Sequence, residues 1–308
     1  MASQINNPQK QDKIKKIKAS FGVFLVFVIM ALFAVYVYLI FKGFLQRDIM
    51  ILTFFATQMI YQIFFAKRNQ TFINFFLYLE CHNYFNHAVV DFEEEIQKNN
   101  SMLCVHPHGI LTVGLLLNLN TYIQMPALSS RFLLSTPFLG MLCKWWGFKS
   151  VDGSNFKKLC ENGENFALVP GGYEEATLTS QTKDRVYIKH RKGFIKYGLK
   201  YGYKIYPMYS FNENKLFKTL DDTMLNFRLY LNKLKLVTAI FYSKYLLVLP
   251  DPNYNLTSVV SKGIQLPKIE NPTKQDVEKY HLMYINELKE LFNRHKARFN
   301  NTNEMIIY

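Results

Sequence analysis

The sequence is poor in cysteine. Its 308 residues include four cysteines, and no two of them form a C-x-x-C pair. None of them has a histidine at zinc-ligand spacing, so the sequence predicts neither a redox pair nor a metal site. We expect four free thiols in a reducing compartment. The four thiols belong to Cys81, Cys104, Cys143 and Cys160.

Acidic residues are also scarce, 23 against 37 basic ones, which gives a formal net charge of +14. Such a charge suits nucleic acid, anionic lipid or a phosphate-bearing ligand. The sequence has no zinc-finger spacing, no RNP-like run and no long basic helix, and we therefore expect no nucleic-acid partner. It also lacks a G-x-S-x-G elbow, a Walker motif and a dinucleotide fingerprint. A serine lipase is therefore not expected.

Two long apolar runs stand near the N-terminus. Residues 21–41 carry no charge and would span about 31 Å as a helix, enough for the hydrocarbon core of a bilayer. Residues 49–66 would span about 27 Å but include Thr53, Gln58 and Gln62. The sequence therefore predicts a basic cytoplasmic tail over 1–20, a transmembrane hairpin over 21–66 with helices at about 21–41 and 49–66, and one large domain over 67–308.

Positive charge predicts the orientation of this hairpin. Five lysines lie between residues 10 and 18, and Lys67 and Arg68 follow the second run. The positive-inside rule then places the tail and the large domain in the cytoplasm. A cleaved signal peptide is disfavoured, because the first run is too long and no small-residue cleavage site follows it. A hairpin that enters one leaflet and turns back is left open.

The large domain shows short apolar segments that alternate with helical ones. This pattern predicts an α/β domain with a central, mostly parallel sheet. The predicted strands cover residues 101–105, 131–135, 165–169, 204–211 and 245–249. The predicted helices cover residues 110–119, 137–146, 187–201 and 273–299, and residues 91–100 are expected to form a short helix and a loop. The last helix is expected to open at Thr273, with Asp276 three residues later as the acid of a capping box.

The first strand runs directly into His106-Pro107-His108-Gly109. Reactive groups collect where strands of an open α/β sheet end, and histidine is well suited to take a proton near neutral pH. The alternatives are a metal site, for which no third ligand is spaced suitably, and a histidine that only braces the turn. The motif therefore favours a general base at His106 or His108.

A second strand ends in Pro170-Gly171-Gly172, followed by Glu174 and Glu175. Glycines let backbone amides approach a substrate or an anion closely. Either glutamate could orient a histidine, and the alternative is a tight turn with acidic residues at a helix start.

A third motif combines two cations with a glycine, Arg191-Lys192-Gly193. Arginine and lysine beside glycine can hold a phosphate group. The alternative is an ordinary solvated helix face.

Taken together, these motifs resemble the type-2 diacylglycerol acyltransferase family, which includes monoacylglycerol and wax-alcohol acyltransferases. The resemblance covers about residues 70–300 and places the motifs in the family's order and spacing. Its further motifs are Phe194, residues 206–211, Glu213-Asn214, residues 266–273 and Tyr280-His281.

The resemblance implies transfer of an acyl group from acyl-CoA to a lipid hydroxyl, in a fold like that of glycerolipid acyltransferases. Those relatives use a His-x4-Asp dyad, but Leu111 and Val113 occupy the corresponding positions here. The resemblance therefore implies Glu175 as the acid, with Glu174 as the fallback, and acyl-CoA as a co-substrate without any cofactor.

A mechanism follows as a hypothesis. His108, or else His106, removes the proton from the lipid hydroxyl, and the glutamate orients the imidazole. Backbone amides near Gly109 or near Gly171 and Gly172 stabilise the oxyanion. The residues expected to bind the CoA phosphates are Arg191, Lys192 and Gly193.

Diacylglycerol is the expected acceptor, and monoacylglycerol or a long-chain wax alcohol is the alternative. The expected location is the endoplasmic reticulum membrane, as a multi-pass protein in contact with membrane lipids, with lipid droplets as a second site. A homo-oligomer is left open. Two alternatives from other classes are a non-catalytic lipid-droplet protein and an acyl-CoA hydrolase.

Overall fold

The computed structural model describes residues 8–234, 236, 238–243 and 249–308. The chain divides into two compact units. The first comprises the described residues up to Tyr84 together with Ser129–Val151, and the second comprises Phe85–Leu128 and Asp152–Tyr308. Each unit is described by itself.

The first unit begins with one long helix, Pro8–Gln46. The basic residues before position 21 continue the helix because the segment is rich in lysine, a good helix former, and has no glycine or internal proline. Asp12–Gln46 is long and apolar enough to cross a membrane. Ile49–Phe65 and Gln70–Tyr84 pass the same test only as a pair, bent by 95° at the break between them. The predicted transmembrane hairpin therefore stays a prediction.

The polar residues of the second apolar run have structural partners. Gln62 is buried, and its Nε2 donates to the carbonyls of Leu134 and Thr136 at 3.1 Å each. Its Oε1 accepts from the Phe138 amide at 3.1 Å. The Lys144 ammonium donates to the Gln62 carbonyl at 2.6 Å. The lower hydrophobicity of this run thus reflects side chains that fasten residues 134–144 to it.

The predicted strand over residues 131–135 is wrong. Arg131–Ser135 is a short helix of the first unit, and the Ser130 hydroxyl caps it by accepting from the Leu133 amide at 3.2 Å. A short apolar segment fits either a strand or a helix, and here the cap selects the helix. The remaining helices of this unit are Ile49–Ile60 with its π-helical extension Tyr61–Phe65, Gln70–Leu79, Cys81–Tyr84 (3-10) and Leu139–Trp146.

The second unit is built on a central sheet, which confirms the predicted α/β domain. Three of its strands match the sequence prediction: Ser101–His106, Phe166–Leu168 and Lys204–Phe211. Two more, His87–Phe92 and Asn255–Val260, were not predicted. The prediction of a helix within residues 91–100 is wrong, since His87–Phe92 is extended and no helix follows it there. The predicted strand at 245–249 lies outside the described residues except for Leu249.

The order of the strands places Lys204–Phe211 in the middle of the sheet. It pairs in parallel with Ser101–His106, which pairs in parallel with Phe166–Leu168. On its other side it pairs antiparallel with Asn255–Val260, which runs parallel to His87–Phe92. The sheet is therefore mixed, because His87–Phe92 and Asn255–Val260 both run opposite to the other three strands. The short strand Ile264–Gln265 also pairs antiparallel with the central one.

Helices and shorter ladders complete the second unit. Its helices are Val113–Asn118, Gly153–Glu161, Gly172–Thr177, Gly193–Tyr201, Leu225–Lys233 and Lys274–His295, with 3-10 turns at Glu213–Lys215 and Lys296–Phe299. Two ladders join Asp184–Val186 to Met305–Ile307 and Lys218–Thr219 to Phe241–Tyr242. The chain also forms the short strands Leu128–Ser129 and Lys149–Ser150.

The helix Lys274–His295 begins with the predicted capping box, in which Thr273 and Asp276 exchange hydrogen bonds. Its buried residues recur at alternating spacings of four and three. They are Val277, His281, Tyr284, Leu288 and Leu291, with Phe292 next to them. This buried stripe turns the phenol ring of Tyr284 into the interior of the unit.

Candidate active site

Two loops meet at one edge of the sheet. His106 ends the strand Ser101–His106, and Gly171 follows the neighbouring strand Phe166–Leu168. The two strands are parallel, with Cys104 opposite Leu168. Because parallel strands end at the same edge, the loops that follow them lie side by side. We call residues 106–112 the histidine loop and residues 169–171 the glycine loop.

The Glu175 carboxylate joins these loops. It is buried, with 1% of its surface exposed. Its oxygens accept from His106 Nδ1 at 2.9 Å, from the His108 backbone amide at 2.8 Å and from the Tyr187 backbone amide at 2.9 Å. A buried carboxylate is tolerated where donors of this kind surround it. Glu175 therefore holds the side chain of one histidine and the backbone of the other.

Gly171 makes this arrangement possible. A Cβ atom at position 171 would lie 1.9 Å from Oε2 of Glu175, far inside van der Waals contact. The glycine thus lets the carboxylate fold back over the preceding turn.

His106 is fully buried, and both of its ring nitrogens are engaged. Nδ1 donates to Glu175, and Nε2 lies 2.9 Å from the Tyr284 hydroxyl. In a neutral ring that donates from Nδ1, Nε2 accepts the proton of the phenol, an assignment that follows from the network. This histidine is enclosed on both sides and braces the loop. In the described part of the chain, no group of three or more His, Cys, Asp or Glu side chains could hold a metal ion.

His108 differs in its exposure. Its side chain is half-buried, and Nδ1 lies 3.1 Å from the Gly109 carbonyl oxygen. Because a carbonyl only accepts, Nδ1 carries the proton, and Nε2 keeps the lone pair of the neutral ring. Burial lowers the pKa of His108, although the Glu175 carboxylate opposes this shift. The imidazole is therefore neutral at neutral pH and can take a proton at Nε2.

Glu213 holds the backbone immediately after the histidine loop. Its two oxygens accept from the backbone amides of Val113 and Gly114, at 2.8 and 2.7 Å. Burial raises the pKa of Glu213 to about 7. Gly109 has φ +57, and a Cβ there would lie 2.6 Å from Cγ of Glu213. Glycine is thus required at position 109 both by its conformation and by this contact.

The glycines predicted to stabilise an oxyanion are not equivalent. The Gly172 amide lies 3.3 Å from the Val169 carbonyl, to which it donates within the turn. The amides of Gly109 and Gly171 have no hydrogen-bond partner among the residues that the structure describes. Each of these two amides is therefore available to donate to an anion.

The predicted phosphate-binding residues carry acidic partners. Arg191 is paired with Glu174, and its guanidinium also lies 5.3 Å from the Tyr187 ring centroid. Lys192 is paired with Glu278. Lys192 precedes the helix Gly193–Tyr201, and the space beside Gly193 is open to 4 Å. Glu174 therefore contacts Arg191 and not the histidines.

Tyr284 and Glu213 contact the histidine loop but were given no role from the sequence. Tyr284 shares the buried stripe of its helix with His281, and a hydroxyl on such a stripe needs an internal partner. That periodicity was the available signal. Glu213 follows the strand Lys204–Phe211, whose residues are nearly all buried. Because reactive groups collect where such strands end, an acid at this position was a signal for the site.

Comparisons with known proteins find relatives over most of this chain. A family model described as diacylglycerol acyltransferase matches residues 39–308. Diacylglycerol O-acyltransferase 2 of Dictyostelium discoideum is 33% identical over 224 residues, which cover 65% of this chain and 67% of the relative. Diacylglycerol O-acyltransferase 2-like protein 6 of Homo sapiens is 30% identical over 264 residues, which cover 76% of this chain and 77% of the relative.

One solved structure is also similar. The crystal structure of the 1-acyl-sn-glycerophosphate acyltransferase from Thermotoga maritima matches with a TM-score of 0.43 and 12% sequence identity, over 92% of this chain and 99% of that chain. The family match over residues 39–308 includes the histidine loop, the glycine loop and the Arg191-Lys192 pair.

Proposed function

Because this chain belongs to the diacylglycerol acyltransferase family, we propose that it transfers a fatty acyl group from acyl-CoA to the hydroxyl of diacylglycerol. Family membership makes it an acyltransferase that uses an acyl donor and a lipid acceptor. The observation that carries the proposed mechanism is the half-buried His108, whose Nδ1 is engaged by the Gly109 carbonyl. That contact leaves Nε2 as a base.

In the proposed reaction, Nε2 of His108 takes the proton from the lipid hydroxyl as its oxygen attacks the thioester carbonyl. An oxyanion forms on that carbonyl, and the amides of Gly109 and Gly171 donate to it. Collapse of the intermediate expels the CoA thiolate, and the imidazolium returns its proton to the sulfur. The products are the ester and CoA, and no covalent enzyme intermediate is needed.

Glu175 supports this reaction indirectly. It holds the His108 backbone and the His106 side chain, so it fixes the position of the base without touching its imidazole. Its negative charge favours the imidazolium that forms during the reaction. Glu175 is therefore a positioning residue in this mechanism.

The phosphates of acyl-CoA would bind Arg191 and Lys192. Replacing Lys192 by Gln is expected to raise the KM for acyl-CoA about threefold to tenfold with little change in kcat, because its proposed contact is with a CoA phosphate and not with the thioester. Initial rates at varied acyl-CoA measure this. The matched variant Glu278→Gln frees the lysine from its partner and should not raise the KM. A fall in kcat alone would contradict the assignment.

The pH profile tests the base. Burial lowers the pKa of His108 from its usual 6.5, and only the neutral ring can accept a proton. Activity is therefore expected to persist at pH 6.5 and to fall as the pH drops through the lowered pKa. Measurement of kcat/KM between about pH 5 and pH 8 should place the midpoint of the acidic limb below the usual value. A midpoint above about pH 7 would contradict this role.

The acceptor is tested by its product. Purified chain and labelled acyl-CoA are incubated with diacylglycerol, monoacylglycerol or a long-chain alcohol. Triacylglycerol as the main product supports the proposal, and a wax ester or diacylglycerol would assign one of the alternatives. Free fatty acid without any acceptor product would indicate a hydrolase. Expression in a cell that lacks neutral-lipid synthesis gives the same test in a membrane.

The proposed setting is the endoplasmic reticulum membrane, and the lipid-droplet surface is a second site. The helix Asp12–Gln46 supports membrane insertion by its length and composition. A hairpin with the catalytic domain on the cytoplasmic side follows from the positive-inside rule. An acyltransferase domain related in fold to glycerolipid acyltransferases would then receive acyl-CoA from the cytoplasm and its acceptor from the bilayer.

A further inference from the structure

Arg185 is a buried cation with unused hydrogen-bond donors. It lies on the strand Asp184–Val186 and exposes 5% of its surface. One of its terminal nitrogens, Nη2, is paired with the Asp222 carboxylate. Nε and Nη1 are buried and have no hydrogen-bond partner among the described residues, although the guanidinium lies 6.0 Å from the Tyr308 ring centroid. A desolvated guanidinium group with unpaired N–H donors on two of its nitrogens is costly unless a further acceptor joins it.

Arg228 approaches the same turn from the helix Leu225–Lys233. It exposes 4% of its surface, and its Nη2 donates to the backbone carbonyl of Asp221 at 2.5 Å. Its Nε is also buried without a partner among the described residues. Burial lowers the pKa of Arg228, and the charge of Arg185 lowers it further. Two buried guanidinium groups thus face adjacent residues of one turn and repel each other.

Asp222 closes this cluster on the solvent side. Its side chain is 53% exposed, and it also accepts from the Lys183 ammonium at 2.6 Å. Two cations therefore meet at one exposed carboxylate and a third lies at the neighbouring backbone carbonyl, while three buried guanidinium nitrogens have no hydrogen-bond partner in the part of the chain that the structure describes. A tetrahedral dianion with several acceptor oxygens would match this donor set better than a single carboxylate does.

The cluster adjoins elements that hold the candidate active site. Arg185 stands two residues before Tyr187, whose amide donates to Glu175. The Arg228 carbonyl accepts from the Thr238 hydroxyl at 3.0 Å, and that hydroxyl lies 3.2 Å from the hydroxyl of Thr177. Thr177 ends the helix that carries Glu175. A ligand held here would lie on the same scaffold as the histidine loop.

We infer that Arg185 and Arg228 form a binding site for a phosphomonoester, with Asp222 as the internal carboxylate that the ligand displaces. Lys183 would move from Asp222 to the phosphate. This inference rests on the proposed function where the phosphate is the 3′-phosphate of acyl-CoA. The headgroup of phosphatidic acid carries the same chemistry, and the experiment separates the two sources.

The test measures equilibrium binding to the full chain in nanodiscs of zwitterionic phospholipid, without turnover. The probes are CoA, dephospho-CoA and inorganic phosphate. CoA is expected to bind about tenfold more tightly than dephospho-CoA, which corresponds to about 1.4 kcal/mol. Arg185→Gln and Arg228→Gln should each bring this ratio close to one and weaken the competition by inorganic phosphate. The exposed Arg131→Gln removes one positive charge elsewhere and should leave the ratio unchanged.

A second arm of the experiment replaces the zwitterionic phospholipid of the nanodisc by phosphatidic acid. If CoA and dephospho-CoA bind equally, but phosphatidic acid raises the unfolding temperature in an Arg185-dependent way, the site is supported with a lipid as its source. If the binding of CoA, of phosphatidic acid and of inorganic phosphate is in each case independent of Arg185 and Arg228, the inference is overturned. Because binding is measured without acyl transfer, an inactive chain would refute the proposed function and not this site.

Asp222→Asn serves where the arginine variants do not fold. It keeps both guanidinium groups and removes the competing charge, so it should tighten phosphate binding about threefold to tenfold. Unchanged or weaker binding in this variant would overturn the role given to Asp222 and to the cluster.

Discussion

Replacing His108 by alanine is expected to lower turnover by about 10²-fold to 10⁴-fold, because the base that accepts the hydroxyl proton is lost. The fold should tolerate the change. The side chain is half-buried, and the contact that holds the loop uses the backbone amide of His108, which alanine keeps. Acyl transfer in membranes, normalised to protein level, measures the effect. His87→Ala removes an exposed histidine elsewhere and should retain full activity.

The two histidines can be separated by the same assay. Full activity in His108→Ala would refute its role as the base. If loss of activity then follows a His106 substitution in a chain that still unfolds cooperatively, His106 is the base. His106 contacts both Glu175 and Tyr284 in the interior, and most substitutions there are expected to lower stability as well.

Replacing Glu175 by glutamine is expected to lower both turnover and stability. The carboxylate serves three donors from three parts of the chain, and an amide must turn its NH2 group toward at least one of them. A buried donor left unpaired costs about 1–3 kcal/mol. We expect turnover to fall by about 10²-fold or more, because the position of His108 depends on the same carboxylate. Thermal unfolding and kcat, measured together, test both parts.

The matched variant is Glu174→Gln, one residue away. Glu174 is paired with Arg191, which is itself 39% exposed, so its loss should change stability by less than about 1 kcal/mol. Turnover should stay close to that of the unaltered chain. If only Glu174→Gln lowers kcat, the acid of this site has been assigned to the wrong glutamate.

Local signals in the sequence predict the main parts of the second unit. The histidine motif follows a buried strand, and the strand Lys204–Phe211 has the bounds expected from its apolar run. The cap at Thr273 is equally local, since it needs only an acid three residues later. Such features depend on neighbours in the chain, and therefore a single sequence contains them.

Pairings between distant residues were harder to predict. His87–Phe92 is a strand because it pairs with Asn255–Val260, more than 160 residues away. The contact of Tyr284 with His106 likewise joins two segments 178 residues apart. The motifs supplied the candidate residues. They did not show that Glu175 would bond to the backbone of His108 and not to its ring.

The histidine loop is tied at both ends by carboxylates from other elements, Glu175 at its start and Glu213 at its end. The backbone of this short segment is therefore held in one conformation before any substrate arrives. The His108 ring is held as well, by the contact of its Nδ1 with the Gly109 carbonyl, so little conformational entropy has to be lost on the way to the transition state. Catalysis at this loop should accordingly depend on preorganisation, because Glu175 and Glu213, which are distant in the sequence, fix the position of the His108 imidazole that takes the proton.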